Sequence, residues 1–267
     1  MPESSVDLYN TSYGKYDRPP YPAIRLETYG EDFGQTSWVT TAESAEIPRL
    51  LQLTSDASVL EVGCGSGRYA IHLAEKVGCE IVGVDINEEG IRNATRLAAA
   101  AAHRPRVRFE VCDVSRPLAF GTGEFDAVYS NDVLCHIPGR PALFRELHRV
   151  VRSGGTLLFS DALVVAGVVS QEEIATRSSI GYYLFSPPGE NERLLREAGW
   201  TIEIARDTTH AASEISKRWH TARLKHETAL IALEGEATFQ GLQKFLACVH
   251  RLTDERRLLR QLYVART

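Results

Sequence analysis

The stretch Val59-Leu60-Glu61-Val62-Gly63-Cys64-Gly65-Ser66-Gly67 runs an apolar segment into three closely spaced glycines, and Arg68 to Lys76 follows with helical character. It reads as a buried strand reversing through a tight turn into a helix. Glycines at such a turn let the backbone approach a ligand where a Cβ would clash, and supply dihedrals that other residues avoid. The expected ligand is a nucleoside. A dinucleotide fingerprint places its last glycine three positions after the second, and here that position is Arg68. A phosphate loop is disfavoured because no Lys-Ser or Lys-Thr follows. Glu61, closing the strand, suits a ligand with positive charge better than a pyrophosphate.

The segments beyond the turn alternate between strand and helix. Glu80 to Val84 is a second strand ending at Asp85, about twenty residues past the turn, where a carboxylate can grip a ribose diol. Asn87 then caps a helix from Glu88 to Ala102. Val107 to Val111 is a third strand leading to Asp113, and Glu124 to Ser130 a fourth. Pro141 starts a helix with Leu143, Phe144, Leu147 and Val150 on one face. Gly154-Gly155 precedes a fifth strand, Thr156 to Ser160. A helix from Pro187 to Ala198 and a strand from Trp200 to Arg206 come next. Residues 211–234 carry Ile215, Trp219, Ala222, His226, Ala229 and Leu233 at the spacing of one long amphipathic helix. A helix from Gly241 to Arg251 and a seventh strand, Leu258 to Ala265, complete the chain.

Glu61 to Gly67, Asp85, Asp113, Phe125-Asp126 and Gly154-Gly155, in that order, resemble the class I S-adenosylmethionine-dependent methyltransferases of small-molecule type. The resemblance covers about residues 55–206. It implies an α/β fold, a Rossmann-like doubly wound seven-stranded sheet with a helical cap insertion. The implied partition is residues 1–54 as an arm and helix contributing to a lid, 55–210 with 255–267 as the cofactor-binding domain, and 211–254 as the cap.

S-adenosyl-L-methionine is the implied cofactor. Glu61 would fix its amino-acid end and Asp85 the ribose, with Gly63, Cys64, Gly65, Gly67 and Ile86 as further cofactor-binding residues. The resemblance gives Asp113 the adenine amino group and the backbone of Val114 the ring, with Ser130 as a further cofactor-binding candidate. Tyr29 to Trp38 resembles a segment that reaches the methionine end in some relatives, which adds Gln35, Ser37 and Trp38.

The acceptor side is expected from the aromatic arm, Tyr9, Tyr13, Tyr16 and Trp38, together with His136, Tyr182, Tyr183 and Trp219. Aromatic side chains bury large areas and can cage a developing ammonium. His136, just past the fourth strand, is a candidate base or a packing residue, and Asp161 a second proton acceptor or a turn cap. A small-molecule amine is the first choice of acceptor. The absence of Asn-Pro-Pro-Tyr or Asp-Pro-Pro-Tyr after strand four speaks against a nucleic-acid base. The alternatives are O- or C-methylation, cofactor binding with non-methylating chemistry, or a nicotinamide oxidoreductase, the last disfavoured by Arg68. The late helices are read as a cap over the pocket or a dimer face.

A chain of 267 residues, 43% hydrophobic, fits one α/β domain with insertions. A net charge of −5 and a pI near 5.9 argue against a nucleic-acid partner. No run of eighteen apolar residues suggests a membrane span, and Met1 to Ser5 does not look like a leader. Five scattered cysteines suit reduced thiols in a cytoplasmic protein. Eight histidines without a His-Glu-x-x-His pattern point to no metal. A monomer or homodimer is expected.

Overall fold

A computed structural model describes residues 8–267; the opening segment Met1 to Ser5, and the arm up to residue 7, lie outside the described residues. The aromatic arm forms two short helices, α1 (Leu8–Gly14) and α2 (Tyr21–Tyr29). Pro22 at the first turn of α2 and Gly30 at its end, with φ +82°, keep it short. Thr40 and Glu43 form a reciprocal capping box that starts α3 (Thr41–Leu50).

The central series follows the sequence closely: β1 (Ser58–Val62), α4 (Arg68–Val77), β2 (Glu80–Asp85), α5 (Glu88–Ala100), β3 (Val107–Val111), β4 (Phe125–Asn131) and α6 (Arg140–Val150). β5 (Val151–Val165) is much longer than the expected Thr156 to Ser160. Phe125 pairs with Val151 but Ala127 with Thr156, so residues 152–155 bulge out of the ladder, and Gly154 takes the positive φ of +74° that this requires.

After α7 (Gln171–Arg177), α8 (Glu190–Glu197) begins three residues later than the expected Pro187, with Gly189 as its N-cap in the left-handed conformation. β6 (Thr201–Asp207) precedes α9 (Thr209–Lys225), α10 (Glu227–Glu234), α11 (Glu236–Asp254) and β7 (Leu258–Arg266). The single helix expected over 211–234 is broken at His226, whose φ of −109° and ψ of 17° leave helical geometry. The break resets the register: Leu230 is buried in place of Ala229, and α10 packs against α11. His226 and Lys225 instead reach Glu27 of α2, at 3.1 and 2.7 Å.

The seven strands form one sheet in the order β3-β2-β1-β4-β5-β7-β6. Neighbours are parallel except at β7, which runs antiparallel to both β5 and β6. Val59 and Leu60, both 0% exposed, feed opposite faces, so the sheet is buried on both sides. One face packs on α6 and α8 and the other on α3 and α4. A third core, with Trp38, Trp219, Phe245 and Tyr29, joins the arm to α9 and α11. The order reverses direction between β1 and β4, and open α/β sheets bind ligands beyond the strand ends at that switch.

Candidate active site

At that switch a cleft of about 350 Å³ opens over the ends of β1, β2 and β4, a size in the range of small-ligand sites. Gly63, at φ +79°, forms part of its floor, and a Cβ there would come within 2.3 Å of Val133. Glu61 is buried beside it. Its Oε2 has no hydrogen-bond partner among the described residues, and burial raises its pKa to about 8, the Tyr129 phenol pulling down and the Asp85 charge pushing up. An unpaired buried carboxyl on a cleft wall is costly unless a ligand satisfies it.

Asp85 closes β2 at the same edge. Its Oδ2 accepts from the Gly65 N–H and its Oδ1 from the Asn87 N–H, both at 2.8 Å. These bonds fix the carboxylate and leave each oxygen lone pairs for a diol. Burial raises the Asp85 pKa against those bonds. Asn87 in turn accepts from the Gly90 N–H at 2.9 Å and caps α5, while Ile86, 68% exposed, offers an apolar edge to the cleft.

The arm covers the opposite side. Tyr13 closes over the glycine turn, so a Cβ at Gly65 would sit 2.5 Å from its hydroxyl. Gln35 and Ser37 line the cleft, although the Gln35 Oε1 is already held by the Phe33 N–H at 2.8 Å. Tyr9 on α1 reaches across to His136, its hydroxyl 3.0 Å from Nε2. The other ring nitrogen, Nδ1, lies 2.9 Å from the Tyr182 carbonyl. A carbonyl only accepts, so Nδ1 carries the hydrogen and Nε2 accepts from Tyr9. Burial lowers the His136 pKa to about 4, so the ring is neutral at ordinary pH, and burial raises that of Tyr9 well above the phenol range.

Several expected site residues lie off the cleft wall. Asp161 is 0% exposed and paired with Arg140 at 2.6 Å, and it accepts from the Cys135 N–H at 3.1 Å; the expectation of a proton acceptor there is corrected to a structural ion pair. Gly67 is needed for packing, as a Cβ would meet Ala94 at 2.5 Å. The buried Ser130 hydroxyl donates to the Val62 carbonyl, tying β4 to β1. Asp113 turns back to cap Ser115, at 3.0 Å to its N–H and 2.6 Å to its hydroxyl, and pairs with Arg116, while Val114 packs on the core.

The acceptor-side aromatics also separate. Trp38 is buried and its ring lies tilted against that of Trp219, 6.1 Å between centroids, inside the core shared with the late helices. Those helices therefore brace the arm instead of lining the cleft. Tyr16 lies under the Arg25 guanidinium, 4.3 Å from its ring centre. Tyr182 contributes its carbonyl to His136, and the buried Tyr183 ring lies 5.2 Å from that of His136.

Sequence reasoning missed Asp132. It lines the cleft with a φ of 59°, unusual for a residue other than glycine. Arg260 of β7 grips it with two bonds, 2.8 and 3.1 Å, and reaches Glu43 of α3 at 2.7 Å. Asp132 also accepts from the Trp38 N–H at 2.9 Å, so one buried network joins β4, β7, α3 and the arm. No local pattern announces an ion pair between residues so far apart in sequence. Among the described residues no cluster of His, Cys, Asp or Glu is arranged to hold a metal, and no helix is long and apolar enough to cross a membrane.

Residues 60–159 match the family described as "Methyltransferase domain". The chain is 29% identical over 214 residues to the phosphoethanolamine N-methyltransferase of Triticum aestivum, an alignment covering 80% of this chain and 41% of that protein. It is 31% identical over 173 residues to the 27-O-demethylrifamycin SV methyltransferase of Amycolatopsis mediterranei strain S699, covering 64% of this chain and 63% of that one. The chain thus spans less than half the length of the first of these curated relatives. Among solved structures, phosphoethanolamine N-methyltransferase 2 of Haemonchus contortus, in complex with phosphomonomethylethanolamine and S-adenosylhomocysteine, superposes with a TM-score of 0.80 at 20% identity, covering 98% of this chain and 61% of that chain.

Proposed function

We propose that this chain, whose residues 60–159 match a methyltransferase domain and whose sheet has the class I strand order, transfers the methyl group of S-adenosylmethionine to a small-molecule acceptor, at an amine nitrogen. The observation that carries the reading is the unpaired Oε2 of Glu61 on the same cleft wall as the fixed carboxylate of Asp85. One is suited to an ammonium and the other to a diol, the two polar groups that such a cofactor presents. When bound, the cofactor supplies a methyl group activated on a sulfonium.

The side chains then have three tasks. Glu61, Asp85 and the apolar edge of Ile86 hold and orient. Tyr13 and the rest of α1 shut the cleft over the glycine turn, excluding water and fixing the nucleophile in line. Tyr9 and His136 move a proton: the Tyr9 hydroxyl takes one from the acceptor as it gives its own to the neutral Nε2, and the Nδ1 bond to the Tyr182 carbonyl steadies the imidazolium that forms. An amine must shed a proton to be methylated, which this relay supports. The named N-methyltransferase relatives support the amine, and the named O-methylating relative keeps a hydroxyl as the second reading, since the same relay serves an alcohol.

Asp113 and Val114 remain proposed as flanking the adenine, and Trp38 as setting the arm. The five cysteines, unpaired among themselves, support a cytoplasmic setting. The acidic net charge supports a small molecule, and no nucleic acid, as partner, with a monomer or homodimer as the assembly. Calorimetry tests the cofactor assignment: S-adenosylhomocysteine should bind and nicotinamide dinucleotides should not, and the reverse preference would sink it.

A further inference from the structure

Glu61 and Tyr129 stand opposite each other in the parallel ladder between β1 and β4, so their side chains project from the same face of the sheet. Both are buried, Glu61 at 6% exposure and Tyr129 at 0%. The Tyr129 hydroxyl has no hydrogen-bond partner among the described residues, and neither has the Oε2 of Glu61. Two open polar groups side by side in a core are costly, and the cost falls when one becomes a charged acceptor for the other. Glu61 lines the cleft and Tyr129 lies behind it.

The neighbours leave the phenol no other task. Tyr69 of α4 meets the Tyr129 ring edge-on, 6.0 Å between centroids, but its own hydroxyl donates to the Ser44 carbonyl of α3 at 2.6 Å. The titratable groups facing Glu61 are Tyr129 of β4, Asp85 of β2 and Cys64 of the glycine turn, with Tyr69 behind, and none of them is a cation. From α3 the same wall receives the uncharged Ser44. An ionised Glu61 therefore depends on donors. Burial opposes its ionisation most, the Tyr129 phenol favours it and the Asp85 charge opposes it. Burial also keeps the proton on Tyr129, and the Glu61 charge keeps it there more firmly, so the phenol is a donor at ordinary pH.

An ionised carboxylate has two oxygens and about four acceptor sites, enough for the ammonium of a ligand and a protein donor together. We propose that Tyr129 is a positioning residue for the amino-acid end of the cofactor: its phenol donates to the ionised Glu61 carboxylate and holds it turned toward the ligand's ammonium. This rests on the reading of Glu61 as the ammonium contact, and Tyr129 acts through Glu61 without touching the ligand.

The test compares S-adenosylhomocysteine, which carries the amino-acid end, with methylthioadenosine, which lacks it. Binding of each is measured by calorimetry across pH in the wild type, Tyr129→Phe, Glu61→Gln and the double variant. Near neutral pH, Tyr129→Phe should bind S-adenosylhomocysteine about tenfold more weakly and methylthioadenosine as the wild type does. The pH below which affinity for S-adenosylhomocysteine declines should rise from about 8 by up to about one unit, because the ionised Glu61 has lost its donor. On a Glu61→Gln background, Tyr129→Phe should add less than about a threefold loss, since the two residues act on one contact. The phenylalanine keeps the ring packing and removes only an open hydroxyl, so the unliganded variant should unfold at or above the wild-type denaturant concentration.

Equal losses for the two ligands, or independent losses in the double variant, would overturn the proposal. So would a Tyr129→Phe protein that fails to fold, because the hydroxyl would then support the core itself. Weaker S-adenosylhomocysteine binding in Glu61→Gln with none in Tyr129→Phe would remove the role of Tyr129 and leave the cofactor reading standing. Undiminished S-adenosylhomocysteine binding in Glu61→Gln would instead sink the role given to Glu61, and that of Tyr129 with it.

Discussion

The Tyr9 hydroxyl and the Nε2 of His136 stand 3.0 Å apart, joining a helix of the N-terminal arm to the turn after β4 across the mouth of the cleft. Under the proposed function, replacing either removes one half of a proton relay. Tyr9→Phe and His136→Ala should each lower kcat by about a hundredfold, and the double variant should fall little further, because the two act as a unit. Calorimetry with S-adenosylhomocysteine should show cofactor affinity unchanged. Additive losses in the double variant would assign the residues separate tasks.

The relay predicts a pH profile. His136 titrates near pH 4 in the folded protein, against about 6.5 for a free imidazole. Turnover at saturating substrate should therefore show no histidine limb between pH 5 and 8, to within about a unit. Because the folded pKa lies below the unfolded one, the contribution of the neutral ring to stability is complete above about pH 6.5 and is lost as pH falls towards 4. Urea titrations at several pH values should show this decline in the wild type and a smaller one in His136→Gln.

Glu61 predicts a slope of the opposite origin. Its carboxyl titrates near pH 8 without a ligand, and a cationic amino group binds its ionised form. Cofactor binding should release a proton, so the affinity for S-adenosylhomocysteine should rise by up to about tenfold per pH unit below 8 and then level off. Glu61→Gln should bind more weakly and without that slope. A wild-type affinity flat from about pH 6 to 8 would contradict the role given to Glu61.

Arg260 predicts a stability effect. Its guanidinium is 0% exposed and holds Asp132 by two bonds and Glu43 by one. Arg260→Met leaves buried carboxylates unpaired and should cost about 3 to 5 kcal/mol in denaturant unfolding. The added change Asp132→Leu should recover part of that loss, since it removes the stranded charge. A change below about 1 kcal/mol would show the network to be spectators at the surface scale.

The legible part of this chain was the part fixed by local spacing. Glycines at Gly63, Gly65 and Gly67 and the cap at Asn87 act within a few residues, and β1 to β4 with α4 follow the sequence to within a residue or so. The site was harder where partners are remote. Asp161 looked like an edge acid until Arg140 claimed it, and Asp132 stood out only once Arg260, contributed by the last strand, was beside it. The break at His226 was hidden because a helix pattern persists in composition while its phase changes. Trp38 and Trp219, expected on the acceptor side, brace the arm from behind rather than face the cleft.

The most direct measurement is transfer of labelled methyl from S-adenosylmethionine to a panel of amines, phenols and sugars, read by mass of the product. Label on the nitrogen of an amine acceptor, with the rate reduced in Tyr9→Phe and His136→Ala, is the predicted result. Cofactor bound tightly at Glu61 and Asp85 with no label moved to any acceptor would contradict the account.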